Sequence, residues 1–149
     1  AFVAEKIAPE RVSVIIFDVD DFKSYNDHYS HMKGDEALKR VAESVVRVLA
    51  EDDRYLFRFG GEEFVVILPG VGEGAACRIA GTLLDAVRGA AVPREDLPDR
   101  HIVTASFGVA CGTGQELEDL SVLAKADREL YVCKKNGKDC AAAGGVIYR

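Results

Sequence analysis

The order of apolar runs along the chain predicts an α/β fold, a mixed sheet with helices packed against it. A short, nearly continuous apolar stretch, Val12-Ser13-Val14-Ile15-Ile16-Phe17, reads as a central strand buried on both faces. Two strand-like runs, Tyr55–Phe59 and Phe64–Leu68, are joined through Gly60-Gly61, and two glycines supply the positive φ that a tight hairpin needs. Helical periodicity fills the stretches between strands. A hairpin inside an otherwise alternating pattern argues against a fully parallel, doubly wound sheet.

The elements follow in order. The first strand ends at Asp18, and polar residues come at once. Over residues 36–49, Leu38, Val41, Ala42, Val45, Val48 and Leu49 share one helical face. Pro69 and Gly70 close the hairpin, and a second amphipathic helix follows with Ala76, Ile79, Ala80, Leu83 and Val87 in register. Gly89 to Arg100 carries Pro93, Pro98 and several charges and reads as a loop. Val103 to Cys111 alternates as a strand. Residues 117–136 form a third helix with Gly137 where a C-terminal cap belongs, and Gly145–Tyr148 offers a short last strand.

A length of 149 residues suits one domain, residues 1–149, with a single core. A composition of 48% hydrophobic and 30% charged residues fits a folded globular chain. No apolar run approaches the ~18–20 residues of a membrane-spanning helix, and nothing at the start resembles a signal peptide. The first residues read as the end of a helix. With 19 basic against 25 acidic residues, the net charge of −6 disfavours non-specific binding to nucleic acid. It leaves room for a small phosphate ligand held by metal ions and a few local lysines. Cys77, Cys111, Cys133 and Cys140 lack metal-ligand spacing and read as free thiols of a reducing compartment. Neither a GxGxxG nor a GxxxxGK[ST] phosphate loop occurs.

Two acidic clusters stand at strand ends or turns. Asp18-Val19-Asp20-Asp21 closes the first strand, and Glu62-Glu63 follows the glycine pair. If the hairpin pairs beside the first strand, these carboxylates converge into a hard, oxygen-rich site suited to Mg²⁺ or Mn²⁺. Pattern alone leaves other readings open: helix capping for Asp20 and Asp21, and a plain surface turn for Glu62 and Glu63.

The run Arg58-Phe59-Gly60-Gly61-Glu62-Glu63-Phe64 resembles the signature of GGDEF-domain diguanylate cyclases in its GGEEF form. Asp18-Val19-Asp20-Asp21-Phe22-Lys23, Asn26-Asp27, His31 and Gly34-Asp35 resemble the family's DxDxFKxxND…GHxxGD stretch. Ser106-Phe107-Gly108-Val109-Ala110 resembles its SxGVA strand, and Ala126-Asp127, Leu130-Tyr131, Lys134 and Gly137 its ADxxLYxxKxxG helix. Within that helix Leu130 and Tyr131 read as core. The resemblance covers about residues 12–139 and implies a mainly antiparallel sheet of about five strands, similar to polymerase palm and nucleotide cyclase domains.

The resemblance also implies a reaction: two GTP condense to cyclic di-GMP and pyrophosphate across a dimer of domains. Asp18, the Val19 carbonyl, Glu62 and Glu63 would hold two Mg²⁺ or Mn²⁺ ions per half-site. Glu62 and Glu63 are the expected catalytic acids, with Glu62 the favoured proton acceptor. Phe22 and Lys23 lie where the family approaches the β- and γ-phosphates, while Asn26 and Asp35 match the readers of the guanine edge. His31, Lys134 and Lys138 match further substrate-binding positions. The expected partners are GTP, a second copy of the domain and an upstream sensor or regulatory domain, with no nucleic acid and no membrane contact. The expected location is cytoplasmic, whether or not a parent protein is membrane-anchored. A non-catalytic module that binds GTP and regulates a neighbour is the alternative.

The departures from the family pattern are few. Ser30 replaces the glycine before the histidine, which predicts a strained or shifted turn. Lys138-Asp139 replaces Arg-Asn, keeping the charge but losing the bidentate fork. The family's product-binding RxxD is here Glu51-Asp52-Asp53-Arg54, so product inhibition through that site is expected to be absent. The family's DxLTGLxNRR lead-in would precede residue 1, so the chain is expected to be an excised fragment of a longer protein.

Overall fold

The computed structural model describes residues 11–51 and 53–149. The expected helix end at the start of the chain lies outside them, as does Asp52. Strand β1 (Arg11–Val19) leads into a short helix α1 (Phe22–His28) and a long one, α2 (His31–Val48). The hairpin β2 (Tyr55–Gly60) and β3 (Glu63–Pro69) comes next, then α3 (Glu73–Ala90). A second hairpin, β4 (Pro93–Leu97) and β5 (Arg100–Ile102), precedes β6 (Ala105–Thr113). Helices α4 (Gly114–Glu118) and α5 (Ser121–Lys135) and strands β7 (Ala141–Ala143) and β8 (Val146–Tyr148) complete the order.

The main sheet has six strands in the order β2-β3-β1-β6-β7-β8. Every pairing in it is antiparallel except β6 with β7. The expected mixed, mainly antiparallel sheet flanked by helices is what forms, one strand larger than expected. The added strand, Ala141–Ala143, has no side-chain pattern to announce it.

Strand β1 sits at the centre because both its faces are apolar. Ile15, Phe17 and Val19 pack with Leu38, Val41 and Val45 of α2 and with Leu83, Leu84 and Val87 of α3. The alternate residues Val12, Val14 and Ile16 pack on the other side with Val122, Ala126 and Leu130 of α5. Each such buried side chain contributes about 1.5–3 kcal/mol, so a one-residue slip of β1 would forfeit both layers. The outer strand β2 is the opposite case. It is a sheet edge, with Phe57 and Phe59 exposed.

Several expectations change. Gly89–Arg100 is the end of α3 and the β4–β5 hairpin, not a loop, and two of its charges are paired inward: Arg94 is buried against Asp96. The expected helix over 117–136 is two helices. Thr113 and Glu116 form a capping box that starts α4 early, and Leu120 then breaks the path at φ 68. Leu120 continues the apolar spacing, so the pattern hid the break. Tyr131 is not core: it is 59% exposed, with the Lys135 ammonium 5.2 Å from its ring, whereas Leu130 is buried as expected. Helix α2 also begins at His31 rather than 36, because the Ser30 hydroxyl accepts the Lys33 N–H and caps it. Ser30 itself lies at φ 159, ψ 166. Among the described residues no helix is long and apolar enough to cross a membrane.

Gly108 of β6 is where α5 comes closest. A Cβ there would overlap the Ala126 carbonyl and the Leu130 backbone. Gly108→Ala should therefore destabilise the domain by about 1–3 kcal/mol, the usual cost of overpacking, read as a lower urea midpoint. An unchanged midpoint would mean that α5 is free to move aside.

Candidate active site

The register of β1 with β3 brings the two acidic clusters together. Asp18 lies opposite Glu63, and Phe17 opposite Phe64, whose rings stack with centroids 5.0 Å apart. On its other side Phe17 meets Phe107 at 4.9 Å. One step further, the Val19 N–H donates to the Glu62 carbonyl at 3.3 Å. The hairpin tip turns through Gly61 at φ +48, and Arg58 Nε braces it by donating to the Gly61 carbonyl at 2.8 Å. Asp18, Glu62 and Glu63 thus share one end of the sheet for reasons of register and packing. Lys134, near the end of α5, reaches the same place and ion-pairs with Asp18.

The electrostatics follow from that convergence. Burial pushes the Asp18 carboxyl up to about 6, and the nearby charges of Asp20 and Glu62 add to the effect against the Lys134 ammonium. Glu63 is raised as well, by burial first and then by Asp127 and Glu62. Burial alone would lower Lys134, but Asp18, Glu63 and Glu62 hold its ammonium above the ordinary range. One cation therefore answers three carboxylates. Carboxylate oxygens at a site short of positive charge are the donor set that hard divalent cations prefer. Among the described residues no three acidic, imidazole or thiol groups already converge on one point, and the ammonium is seated on Asp18 instead. The residues fit a divalent ion in chemistry and charge: Asp18, Glu62 and Glu63 would hold it.

Asp20 has a different task. It is 2% exposed, and its carboxylate accepts from Thr104 Oγ1 at 2.7 Å, Ser106 Oγ at 2.6 Å and the Asp139 N–H at 3.0 Å. Arg100 Nη1 adds an ion pair at 3.3 Å. Four donors saturate it, so the capping alternative does not hold for Asp20. Asp21 stands at the N-cap of α1 but caps nothing with its side chain, which ion-pairs with Lys138 at 2.6 Å. Asp139 itself pairs with Arg88 at 2.9 Å.

The expected base-reading residues lie on adjacent helices. The Asn26 Oδ1 atom is buried and has no hydrogen-bond partner. Gly34 allows this closeness, since a Cβ there would overlap Asn26 Oδ1 and lie 3.0 Å from Phe22. An amide oxygen left unpaired in a buried place is costly unless a ligand donates to it. Asp35 follows Gly34 and is exposed, as are Lys23 and His31, while Phe22 is buried. Sequence reasoning missed Arg94, Asp96 and Arg100 altogether and gave Thr104 no role. The signal was present in Val92, Arg94 and Asp96, alternate residues of which Val92 and Arg94 are buried.

The two acids Asp18 and Asp20 should respond oppositely to removal. Asp18 is raised from 3.8 to about 6, so the stability it contributes is present below about pH 4 and lost as pH rises through about 6. Asp18→Asn, uncharged throughout, should leave the urea midpoint of the metal-free domain at pH 7 equal or higher and flatten its change between pH 4 and 6. Asp20→Ala strands four donors and should cost about 3–5 kcal/mol at pH 7. A loss of equal size for both variants would contradict this division of roles.

Comparison with known proteins gives a consistent result. Residues 3–140 match the family model described as "Diguanylate cyclase, GGDEF domain". The chain is 36% identical over 124 residues to the diguanylate cyclase DgcP of Pseudomonas aeruginosa, covering 83% of this chain and 18% of that protein. It is 34% identical over 139 residues to the diguanylate cyclase VdcA of Vibrio cholerae, covering 89% and 39%. The chain thus spans well under half the length of these relatives. Among solved structures, the active GGEEF domain of a Vibrio cholerae diguanylate cyclase superposes with a TM-score of 0.76 at 26% identity, covering 98% of this chain and 87% of that one. Diguanylate cyclase SiaD in complex with its activator SiaC, from Pseudomonas aeruginosa, gives 0.78 at 30% identity, covering 90% and 50%. By sequence along nearly its whole length, and by fold, the chain belongs to the GGDEF family of diguanylate cyclase domains.

Proposed function

We propose that this domain is catalytic and condenses two GTP into cyclic di-GMP, each domain of a homodimer binding one GTP. The observations that carry the reading are the β1–β3 register that sets Asp18 opposite Glu63 with Lys134 paired to Asp18, and a buried Asn26 amide oxygen that lacks a donor. The 3′-hydroxyl of one GTP attacks the α-phosphorus of the other and expels pyrophosphate, and the reciprocal step closes the ring. Mg²⁺ or Mn²⁺, two per half-site, would polarise the phosphates and stabilise the leaving group.

The chain's own residues bind, orient and take the proton. Glu62 accepts it from the attacking hydroxyl, its carboxylate sitting at the hairpin tip where a partner domain can approach. The Val19 carbonyl would join Asp18, Glu62 and Glu63 in holding the ions. Phe22 and Lys23 meet the triphosphate through backbone and ammonium. Lys134 moves its charge from Asp18 to phosphate oxygens once GTP is bound, while His31 and Lys138 add contacts at the rim. Asn26 Oδ1 accepts from the guanine N2 amine, and Asp35 accepts from N1–H and N2, donors that adenine does not offer at those positions. Two domains must face each other about a two-fold axis, because one domain binds one substrate. An attached sensor or a separate activator sets how often they meet. Where the family has RxxD, Arg54 pairs with Glu51 at 3.1 Å, so this segment does not hold product.

Incubating the purified chain with GTP and Mg²⁺ and reading product by mass separates this function from a GTP-binding module without turnover. Glu62→Gln should retain less than about a hundredth of parental turnover with the melting temperature unchanged, the scale expected when a charge that acts in the transition state is removed. Retention of more than a tenth would remove Glu62 from the chemistry. Asp35→Ala should weaken GTP binding by about 1–3 kcal/mol and reduce discrimination against ATP, measured by calorimetry on both nucleotides. GTP affinity equal to the parent's would remove Asp35 from base reading.

A further inference from the structure

The turn between β1 and α1 is held by a buried pair outside the carboxylate site. The Arg94 side chain, on β4, is 0% exposed, and that of its partner Asp96 is 2% exposed. Arg94 Nη1 donates to the Asp20 carbonyl at 2.8 Å and Nη2 to the Asp21 carbonyl at 3.0 Å. Nε and Nη2 close a fork on the Asp96 carboxylate at 2.7 and 2.5 Å. Asp96 also accepts from Ser24 Oγ of α1 at 2.7 Å, and the Tyr25 ring lies 5.6 Å from the guanidinium. The pairing with Arg94 and the Ser24 hydroxyl hold the Asp96 carboxyl down to about 2, so the pair stays charged at neutral pH. The other strand of the hairpin reaches the same turn, since Arg100 of β5 pairs with the Asp20 carboxylate.

The turn needs holding. Asp21 lies at φ 52, ψ 40, the left-handed region that a residue with a Cβ occupies at a cost, and its side chain caps nothing. Such a conformation persists only where its surroundings over-determine it. A buried ion pair gains little net stability, because desolvation offsets attraction. Here it aims two charged donors at consecutive backbone carbonyls, and those carbonyls lie between Asp18 on β1 and Lys23 on α1.

We infer that Arg94 and Asp96 are positioning residues, fixing the Asp20–Asp21 turn so that Asp18 and Lys23 stand at a set separation across one triphosphate. The inference rests on the nucleotide reading of the site, and neither residue touches substrate. Asn26 on α1 packs against Gly34 of α2, a contact in which Arg94 itself takes no part. The effect of loosening the turn therefore falls on the phosphate half of the site and spares the guanine half.

Arg94→Lys keeps the charge and loses the planar fork. Two measurements follow on parent and variant: affinity for a GTP analogue that cannot be cyclised, with Mg²⁺, beside affinity for guanosine; and amide hydrogen exchange. Affinity for the analogue should fall about tenfold or more while that for guanosine stays within about threefold, since small misplacements cost positioning heavily. Exchange at residues 22–25 should rise about tenfold with the β1 core unchanged. Unchanged analogue affinity, or parallel losses for both ligands, overturns the inference. If Arg94→Lys does not fold, Asp96→Asn, which keeps the shape and one acceptor, carries the same comparison, with analogue affinity falling about threefold and guanosine affinity unchanged. A parent that binds no GTP analogue would overturn the function proposed above. The exchange measurement then decides separately whether Arg94 holds the turn, and no rise would mean it does not.

Discussion

Strand β1 lies between two helical layers, and its C-terminal end brings carboxylates to the edge of a dry core. Its apolar residues are buried whichever way they point, so the strand has one tolerable register and one tolerable place. Asp18 and Asp20 arrive at the end of that strand with little water to share, and each must find positive charge or donors within reach. The surrounding elements supply them differently. Asp20 is saturated by hydroxyls, a backbone N–H and Arg100, and becomes part of the frame. Asp18 has one ammonium, shared with two glutamates, and keeps an electrostatic need that a divalent ion and a triphosphate would meet. Two chemically identical side chains, two residues apart, differ because one is surrounded by fixed donors and the other is not.

That division explains which parts were legible. A strand apolar on both faces and a glycine pair between strand-like runs are local patterns with few alternatives, so β1 and the β2–β3 hairpin could be read directly. Their convergence needed only the assumption that they pair, which Asp18 opposite Glu63 bears out. The β4–β5 hairpin was hidden because its inward positions carry Arg94 and Asp96, and charges with two prolines normally mark a loop. Their burial depends on carbonyls more than 70 residues away in sequence, which no window of sequence contains. Strand β7 was hidden for the opposite reason, since three alanines lack any contrast between inside and outside.

The motif residues reach their places by different routes. Glu62 and Glu63 depend on sheet register, Lys134 on the packing of α5 over β1 and β6, and Asn26 on the absence of a Cβ at Gly34. Gly108 permits the close approach of α5 on which Lys134 depends. Two glycines far from the hairpin thus set distances inside the site as firmly as the acids do.

The edge position of β2 has a consequence for how the site behaves as a machine. Asp18 sits on the most confined strand of the sheet and Glu63 opposite it on β3, while Glu62 stands in the turn that leads from the edge strand β2. The Val19 N–H and the Arg58 guanidinium tie that turn to the sheet, while the far side of β2 has no strand beside it among the described residues. Any change in the distance between Asp18 and Glu62 must therefore come from the β2 side, like a vice with one fixed jaw.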